Sequence, residues 1–283
     1  MDRLRAFVSI AILLAGASAA VAGPPAGTMP AFPQEAIEGS APSSPAVTWR
    51  VAVGLGTLWI RDVASSRFGQ HVDASPVSWE GHGAAVAVSF DHATPRRLHR
   101  LEVMFERTGD AVLRTPIAEV PRNAGDGGFR LSGRYEYRRY LFEDLGVKGL
   151  DIGFGAQGGA EFASITQHFD PSFEQRLRET TLAGAVVAAA RFRRWRRVQV
   201  EVSWVNGGAV VRVSRRHSAA AATTVGHWGV GWLTDVAVRA DVRLSPAAAI
   251  FASYFQTGRR RFVTRDAAAS GRRLWMVGVS YGR

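Results

Sequence analysis

The chain has 283 residues, no cysteine and a formal net charge of +11 at pH 7. A chain without cysteine forms no disulfide bond, no thiolate metal site and no lipid-modified cysteine. Positive charge suits nucleic-acid binding, but Lys148 is the only lysine and the arginines are spread along the whole chain. We therefore predict no nucleic-acid partner.

The first residues predict export. Residues 1–22 combine Arg3 and Arg5 with an apolar stretch and the small-residue sequence Ala20-Val21-Ala22, which is the pattern of a cleavable signal peptide. The apolar stretch is shorter than the ~20 residues that a membrane-spanning helix needs, and no later stretch reaches that length. We expect cleavage after residue 22.

Residues 23–45 are rich in proline and poor in periodic apolar residues, so they predict a flexible periplasmic leader. Residues 46–283 differ, because apolar and polar residues alternate there with period two. One face of such a strand suits lipid and the other is polar. The clearest segment interleaves Phe129, Leu131, Gly133, Tyr135 and Tyr137 with Arg130, Ser132, Arg134, Glu136 and Arg138.

Ten segments share this alternation, and the connections between them are alternately long and short. The long connections cover 62–80, 108–128, 163–176, 214–226 and 263–271, and the short ones cover 93–97, 143–146, 193–196 and 244–247. In a bilayer such strands must close into a barrel so that every backbone group is paired. We therefore predict an all-β fold, a closed antiparallel transmembrane β-barrel of ten strands. The facing of 177–192 and 248–261 is ambiguous, which leaves eight or twelve strands as alternatives.

The alternating strands and the closing sequence from Trp275 to Tyr281 resemble the small outer-membrane β-barrels of Gram-negative bacteria, whose last strand carries an assembly signal. In this chain Gly282 and Arg283 follow the final aromatic residue. The resemblance implies short periplasmic turns, long external loops, both termini in the periplasm and the barrel-assembly machinery as a partner during biogenesis. Such a resemblance predicts architecture and location, not an activity.

Charged residues on the polar strand faces are predicted to project into the lumen. Because a small barrel has little interior beyond its side chains, we predict that these charges pair and fill it; a narrow, weakly selective channel is the alternative. The residues are Arg50, Arg100, Glu102, Glu106, Arg130, Arg134, Glu136, Arg138, Asp151, Glu161, Glu201, Asp235, Arg239 and Asp241.

Other arginines cluster near the predicted external ends of the last strands. We predict that they contact outer-membrane glycolipid, because guanidinium groups bind phosphate in a bidentate manner. These candidates are Arg259, Arg260, Arg261, Arg272 and Arg273. Aromatic residues at lipid-facing positions near the strand ends fit the girdles that lie at headgroup level. They are Trp49, Trp59, Tyr135, Tyr137, Trp204, Trp228, Trp232, Trp275 and Tyr281.

The motifs of known barrel enzymes do not occur in the sequence. Ten-stranded surface proteases share an Asp-x-Asp and an Asp-x-His pair, and barrel lipid hydrolases use His-x-Ser. His217 beside Ser218, and His168 near Asp170, fall in predicted loops and fit solvated polar residues better than a site. We predict a structural, surface-interaction or minor transport role without metal or cofactor. A hydrolase of lipid or surface peptide, with its site assembled from different strands, is the alternative.

Overall fold

The computed structural model describes residues 48–66, 77–114, 119–120, 127–144, 149–170, 173–193, 197–217, 224–263 and 266–282. The predicted signal peptide (1–22) and leader (23–45) lie outside these ranges. The described residues form β-strands and turns. Among them, no helix is long and apolar enough to cross a membrane.

The strands are long. In chain order they are β1 (Thr48–Ser66), β2 (Val77–Ala93), β3 (Arg97–Arg114), β4 (Glu119–Val120), β5 (Gly127–Phe142), β6 (Leu150–Asp170), β7 (Phe173–Phe192), β8 (Val198–His217), β9 (Thr224–Arg243), β10 (Ala248–Val263) and β11 (Asp266–Gly282). Alternating sequence, with β-branched and aromatic residues on one face, favours this extended structure.

Ten of these strands close into an antiparallel barrel, and the two-residue strand β4 only extends β3. Each strand pairs with its neighbour in the chain, and the ring closes because β1 pairs with both β2 and β11. Val53 illustrates the closure, since it lies opposite Val88 on one side and Val279 on the other. The prediction of an all-β, ten-stranded closed barrel is therefore confirmed, and eight or twelve strands are excluded.

The outer face carries an apolar band that begins and ends with tryptophan on β1. Trp49 and Trp59 both point outward, and Val51, Val53 and Leu55 between them are 42–61% exposed. Ten residues of strand cover roughly 33 Å, and a tilt of about 40° reduces this to about 25 Å along the barrel axis, the height of the apolar band in outer-membrane barrels.

The two rims of the barrel differ. We call the rim that carries both Thr48 and Gly282 the terminal rim; the described residues between its strands are 94–96, 143–144, 149, 193, 197 and 244–247. At the opposite, distal rim the strands run further than the sequence predicts. Only 171–172 and 264–265 separate their flanking strands, where the sequence predicts long loops. The hairpins β6–β7 and β10–β11 therefore continue well beyond the apolar band.

The structure also resolves the two segments of ambiguous facing. In β7, Val186 points outward and Val187 inward, so both faces are apolar. In β10, Phe251 and Phe255 are buried inside the barrel while Gln256 and Arg260 are exposed outside, which inverts the usual pattern. Period-two alternation of polarity is absent there because the interior itself contains apolar side chains.

Candidate functional site

The structure places all fourteen predicted lumen residues on the inner face of the barrel, where most of them form ion-paired networks with further charged residues. One set of contacts lies in the terminal half of the barrel, and another, of five residues, lies in the distal half. An apolar cluster lies between the two along β3 and β11.

Glu201 is the centre of the terminal network, which comprises Asp91, Arg100, Glu136, Arg138 and Glu201. Arg100 on β3 donates to both carboxylate oxygens of Asp91 on β2 at 2.9 Å. Its second amino group lies 3.4 Å from Oε1 of Glu201 on β8. Arg138 on β5 lies 2.6 Å from the same oxygen and also pairs with Glu136. Glu201 thus joins strands that are not neighbours in the wall.

Tyr140 extends the terminal network toward the rim. Its hydroxyl donates to Oε2 of Glu201 at 3.2 Å, and the guanidinium of Arg191 lies 3.8 Å above its ring. Arg191 in turn donates to Asp151 at 3.0 Å and to the backbone oxygen of Pro95 at 2.6 Å. Tyr140 is only 2% exposed and Asp151 is fully buried, so these contacts close the interior just inside the terminal rim.

A further ion pair near the terminal rim joins Arg239 and Asp241, which are adjacent on the inner face of β9. Arg239 donates to both carboxylate oxygens of Asp241, at 3.0 Å for the shortest contacts. Arg50 lies 3.8 Å from the same carboxylate. The guanidinium of Arg239 also lies 4.2 Å from the centre of the Phe251 ring, so this pair connects the charged residues with an inward-facing aromatic side chain.

The apolar cluster occupies the middle of the interior. On β3, Met104 separates Arg100 from Glu106, and on β11, Leu274 and Met276 follow Arg272 along the inner face. Buried side chains of this cluster are Leu58, Ile60, Ala85, Ala87, Met104, Phe255, Leu274 and Met276. Tightly packed apolar side chains exclude water, so this layer separates the two charged networks.

Arg134 lies beside the apolar cluster, with its guanidinium 4.8 Å from the centre of the Phe255 ring and 2.6 Å from Glu102. An arginine can place its charge over an aromatic face and satisfy it with a carboxylate at the same time. The contact joins the charged residues to the apolar cluster.

Glu106 and Glu161 are the acidic centres of the distal network, which also contains Arg130, Arg259 and Arg272. Arg272 donates to both carboxylate oxygens of Glu106, at 2.8 and 3.0 Å. Arg259 donates to Glu161 at 2.6 Å, and Arg130 lies 3.1 Å from the same oxygen. Asp235 is also buried at this level. The five residues come from β3, β5, β6, β10 and β11, so the network spans the lumen.

These placements correct part of the glycolipid prediction. Arg259 and Arg272 point inward and pair with Glu161 and Glu106, so they do not contact lipid. The reason is that the strands continue through these positions, and consecutive strand residues face opposite sides of the sheet. Arg260 and Arg273 point outward and are exposed. The side chain of Arg261 lies outside what the structure describes.

Sequence reasoning missed Asp91, Tyr140 and Arg191, each of which is buried in the interior. Asp91 could have been found, because Val86, Val88 and Phe90 alternate as apolar residues and place Asp91 on the opposite face of the strand. Tyr140 and Arg191 lie at strand ends, where the alternation is short and a turn is equally consistent with the sequence. Within the described residues, no group of three or more His, Asp and Glu side chains is arranged to hold a metal ion.

No protein-family model matches the chain, and no curated protein matches it by sequence. Solved structures do match. The outer membrane protease OmpT from Escherichia coli has a TM-score of 0.63 and 8% identity, over 85% of this chain and 99% of that chain. OprG from Pseudomonas aeruginosa has a TM-score of 0.44 and 7% identity, over 84% and 97%. Ail from Yersinia pestis has a TM-score of 0.30 and 12% identity, over 83% and 98%.

At these identities the likeness concerns the fold alone. The chain has the fold of the small outer-membrane β-barrels of Gram-negative bacteria: a closed ten-stranded barrel with an apolar outer face. Because an apolar belt around a closed sheet is compatible with lipid and not with water, the protein resides in a bacterial outer membrane.

Proposed function

We propose that the protein is a plugged outer-membrane barrel with a structural or surface-interaction role, and that it does not form an open pore. The observation that carries the proposal is the layered interior, in which an apolar cluster separates two ion-paired networks. Two interior cavities have volumes of about 40 and 60 Å³, and a third space of about 200 Å³, lined by Arg50 and Asp241, lies at the terminal rim. The two inner cavities hold only a few water molecules each, which is too little for a continuous water column.

The electrostatics of the interior support the same proposal. Within the described residues, every guanidinium of the two networks lies within 3.1 Å of a carboxylate, so these arginines are charge-paired inside the barrel. Moving Arg272 aside would leave Glu106 with only the more distant Arg130, and moving Arg138 aside would leave Glu201 with the longer contacts of Arg100 and Tyr140. Weakening a buried ion pair in a water-poor interior costs several kcal/mol. The side chains therefore resist the rearrangement that would open a path.

We further propose that the terminal rim faces the periplasm and the distal rim the exterior. Short turns at one rim and longer hairpins at the other are typical of bacterial outer-membrane barrels, whose external side carries the longer extensions. The barrel then presents its extended strands at the cell surface. Residues 23–45 would leave the barrel on the periplasmic side.

Conductance of the purified protein in a planar bilayer tests the plug. We expect no protein-dependent current steps, while a porin inserted under the same conditions conducts. The same preparation is first shown to be folded, because an unheated folded barrel runs faster on a gel than the boiled protein. Regular steps, even small ones, would contradict the plugged barrel and favour a narrow channel instead.

A further inference from the structure

A groove on the outside of the barrel crosses β9, β10, β11 and β1 at the distal end of the apolar band. Its volume is about 840 Å³. Gly258 on β10 and Gly271 on β11 lie directly opposite each other and form its floor. Because neither residue has a side chain, the sheet surface is depressed here. A Cβ atom added at Gly258 would meet no atom closer than 3.8 Å, so the backbone does not require glycine at this position.

One wall of the groove is an arginine–tryptophan pair. Arg273 lies opposite Trp59 in the register of β11 and β1, and its guanidinium is 5.0 Å from the centre of the Trp59 ring. The indole nitrogen of Trp59 donates to Glu80 at 2.9 Å, which fixes the ring. Arg273 is thereby held over the tryptophan face with its guanidinium edge free to contact a ligand.

The other wall repeats this combination. Arg260 on β10 lies opposite Trp232 on β9, and Phe262 follows on the same outer face. Trp232 is 54% exposed and Phe262 56% exposed. The groove therefore has a glycine floor between two arginine–tryptophan pairs, with one pair on each side.

The two wall arginines differ from the arginines inside the barrel, and the carboxylate nearest to Arg273 is that of Glu80, which accepts from Trp59. Within the described residues, neither Arg260 nor Arg273 forms an ion pair with a carboxylate, whereas the inward-facing Arg259 and Arg272 beside them are both paired. Arg260 is opposite Ala269, four residues before Arg273 on β11. Four strand residues correspond to roughly 13 Å, so the two guanidinium groups can contact separate anionic groups of one ligand.

We infer that this groove binds a phosphorylated glycolipid of the outer leaflet. The groove faces lipid, lies level with Trp59 where an aromatic girdle meets headgroups, and offers an uncovered apolar floor for an acyl chain. Two arginines suit a headgroup with more than one phosphate, because each guanidinium donates two parallel hydrogen bonds to phosphate oxygens. The assignment to the outer leaflet rests on the proposed orientation of the barrel.

Lipid binding in detergent micelles tests the inference independently of orientation and conductance. The probes are purified phosphorylated glycolipid, the same glycolipid after removal of its phosphates, and a zwitterionic phospholipid. We expect the phosphorylated form alone to raise the unfolding temperature of the wild-type barrel. Its apparent affinity should fall about tenfold in the double variant Arg260→Gln/Arg273→Gln, which loses two charge-assisted contacts.

The matched control is Arg97→Gln/Arg139→Gln, two exposed outward arginines that face each other at the terminal rim. This variant should keep wild-type affinity. Gly258→Leu should fold, because its Cβ has room, and should weaken binding by filling the floor. Equal stabilisation by the dephosphorylated glycolipid, or equal loss of affinity in both double variants, would overturn the inference.

Discussion

Arg272 on β11 donates from one nitrogen to both carboxylate oxygens of Glu106 on β3, at 2.8 and 3.0 Å. In the barrel wall β1 and β2 lie between these strands, so the pair reaches across the interior and not along the sheet. The side chains are 5% and 1% exposed. A buried pair of this kind connects non-adjacent strands of the wall and fills the space between them.

Breaking this pair should destabilise the folded barrel. Arg272→Gln leaves the buried Glu106 carboxylate with only the more distant Arg130, 3.9 Å away. Loss of one partner of a buried ion pair costs about 3–5 kcal/mol. The measurement is the urea dependence of the folded fraction, followed by the gel mobility of unheated samples.

Two further variants show whether the cost comes from the unpaired charge. The double variant Glu106→Gln/Arg272→Gln should be more stable than Arg272→Gln alone, because neither charge is left without a partner. Arg107→Gln, at an exposed outward position next to Glu106, should unfold like wild type. If Arg272→Gln also behaved like wild type, the pair would contribute nothing to stability.

Tyr140 has two separable roles. Tyr140→Phe removes the hydroxyl that donates to Glu201 but keeps the ring under Arg191, so we expect a loss of about 1.5–3 kcal/mol, the range for hydrogen bonds to charged groups. Tyr140→Ala also leaves a cavity and should cost about 3–5 kcal/mol. Equal unfolding midpoints for the two variants would show that the ring does not contribute.

Two glycines provide a test of close strand packing. A Cβ atom at Gly155 would lie 1.8 Å from the backbone oxygen of Tyr137, whereas one at Gly184 would meet nothing within 4 Å. Gly155→Ala should therefore lower the amount of folded protein in the outer membrane. Gly184→Ala should accumulate normally, since an open site on a strand tolerates alanine. Normal accumulation of both variants would contradict the register of β5 and β6.

Depth in the membrane should determine the effect of outward-facing charge. Val277 lies within the apolar band and is 66% exposed, while Val210 lies near its distal end. Val277→Arg should cost about 2–4 kcal/mol and reduce assembly, and Val210→Arg about 0–1 kcal/mol. The readout is the folded fraction recovered from the outer membrane. A larger effect at Val210 would show that the band is placed wrongly along the barrel.

The sequence was sufficient for the architecture because alternation on the outer face is nearly continuous. Strands such as the one from Gly127 to Phe142 place apolar residues outward and charged residues inward at every second position. The inner positions of residues such as Glu136 follow from that pattern alone, whereas the strand count also depends on the segments 177–192 and 248–261, where the pattern is absent. Closure follows from the requirement that backbone groups in lipid be paired.

The organisation of the interior could not be predicted in the same way. Glu106 and Arg272 are 166 residues apart, and they meet because of the stagger of strands around the ring, which local alternation does not reveal. Phe251 and Phe255 point inward on β10, so an apolar residue there does not signal lipid. Arg259 and Arg260 lie at the end of a segment whose facing is ambiguous in the sequence, and their division between the inner and outer faces appears only once β10 is seen to continue through them.

Formation of a disulfide bond between β1 and β11 tests the central claim, closure of the barrel, most directly. The chain has no native cysteine, and Val53 and Val279 lie opposite each other on the outer face. Cross-strand partners are close enough for a disulfide. In outer membranes treated with a mild oxidant, Val53→Cys/Val279→Cys should cross-link within one chain and run faster on a boiled, non-reducing gel. The control Val53→Cys/Trp275→Cys, displaced by roughly 13 Å along β11, should not. A first pair that stays reduced, or equal cross-linking of both pairs, would contradict closure by these two strands.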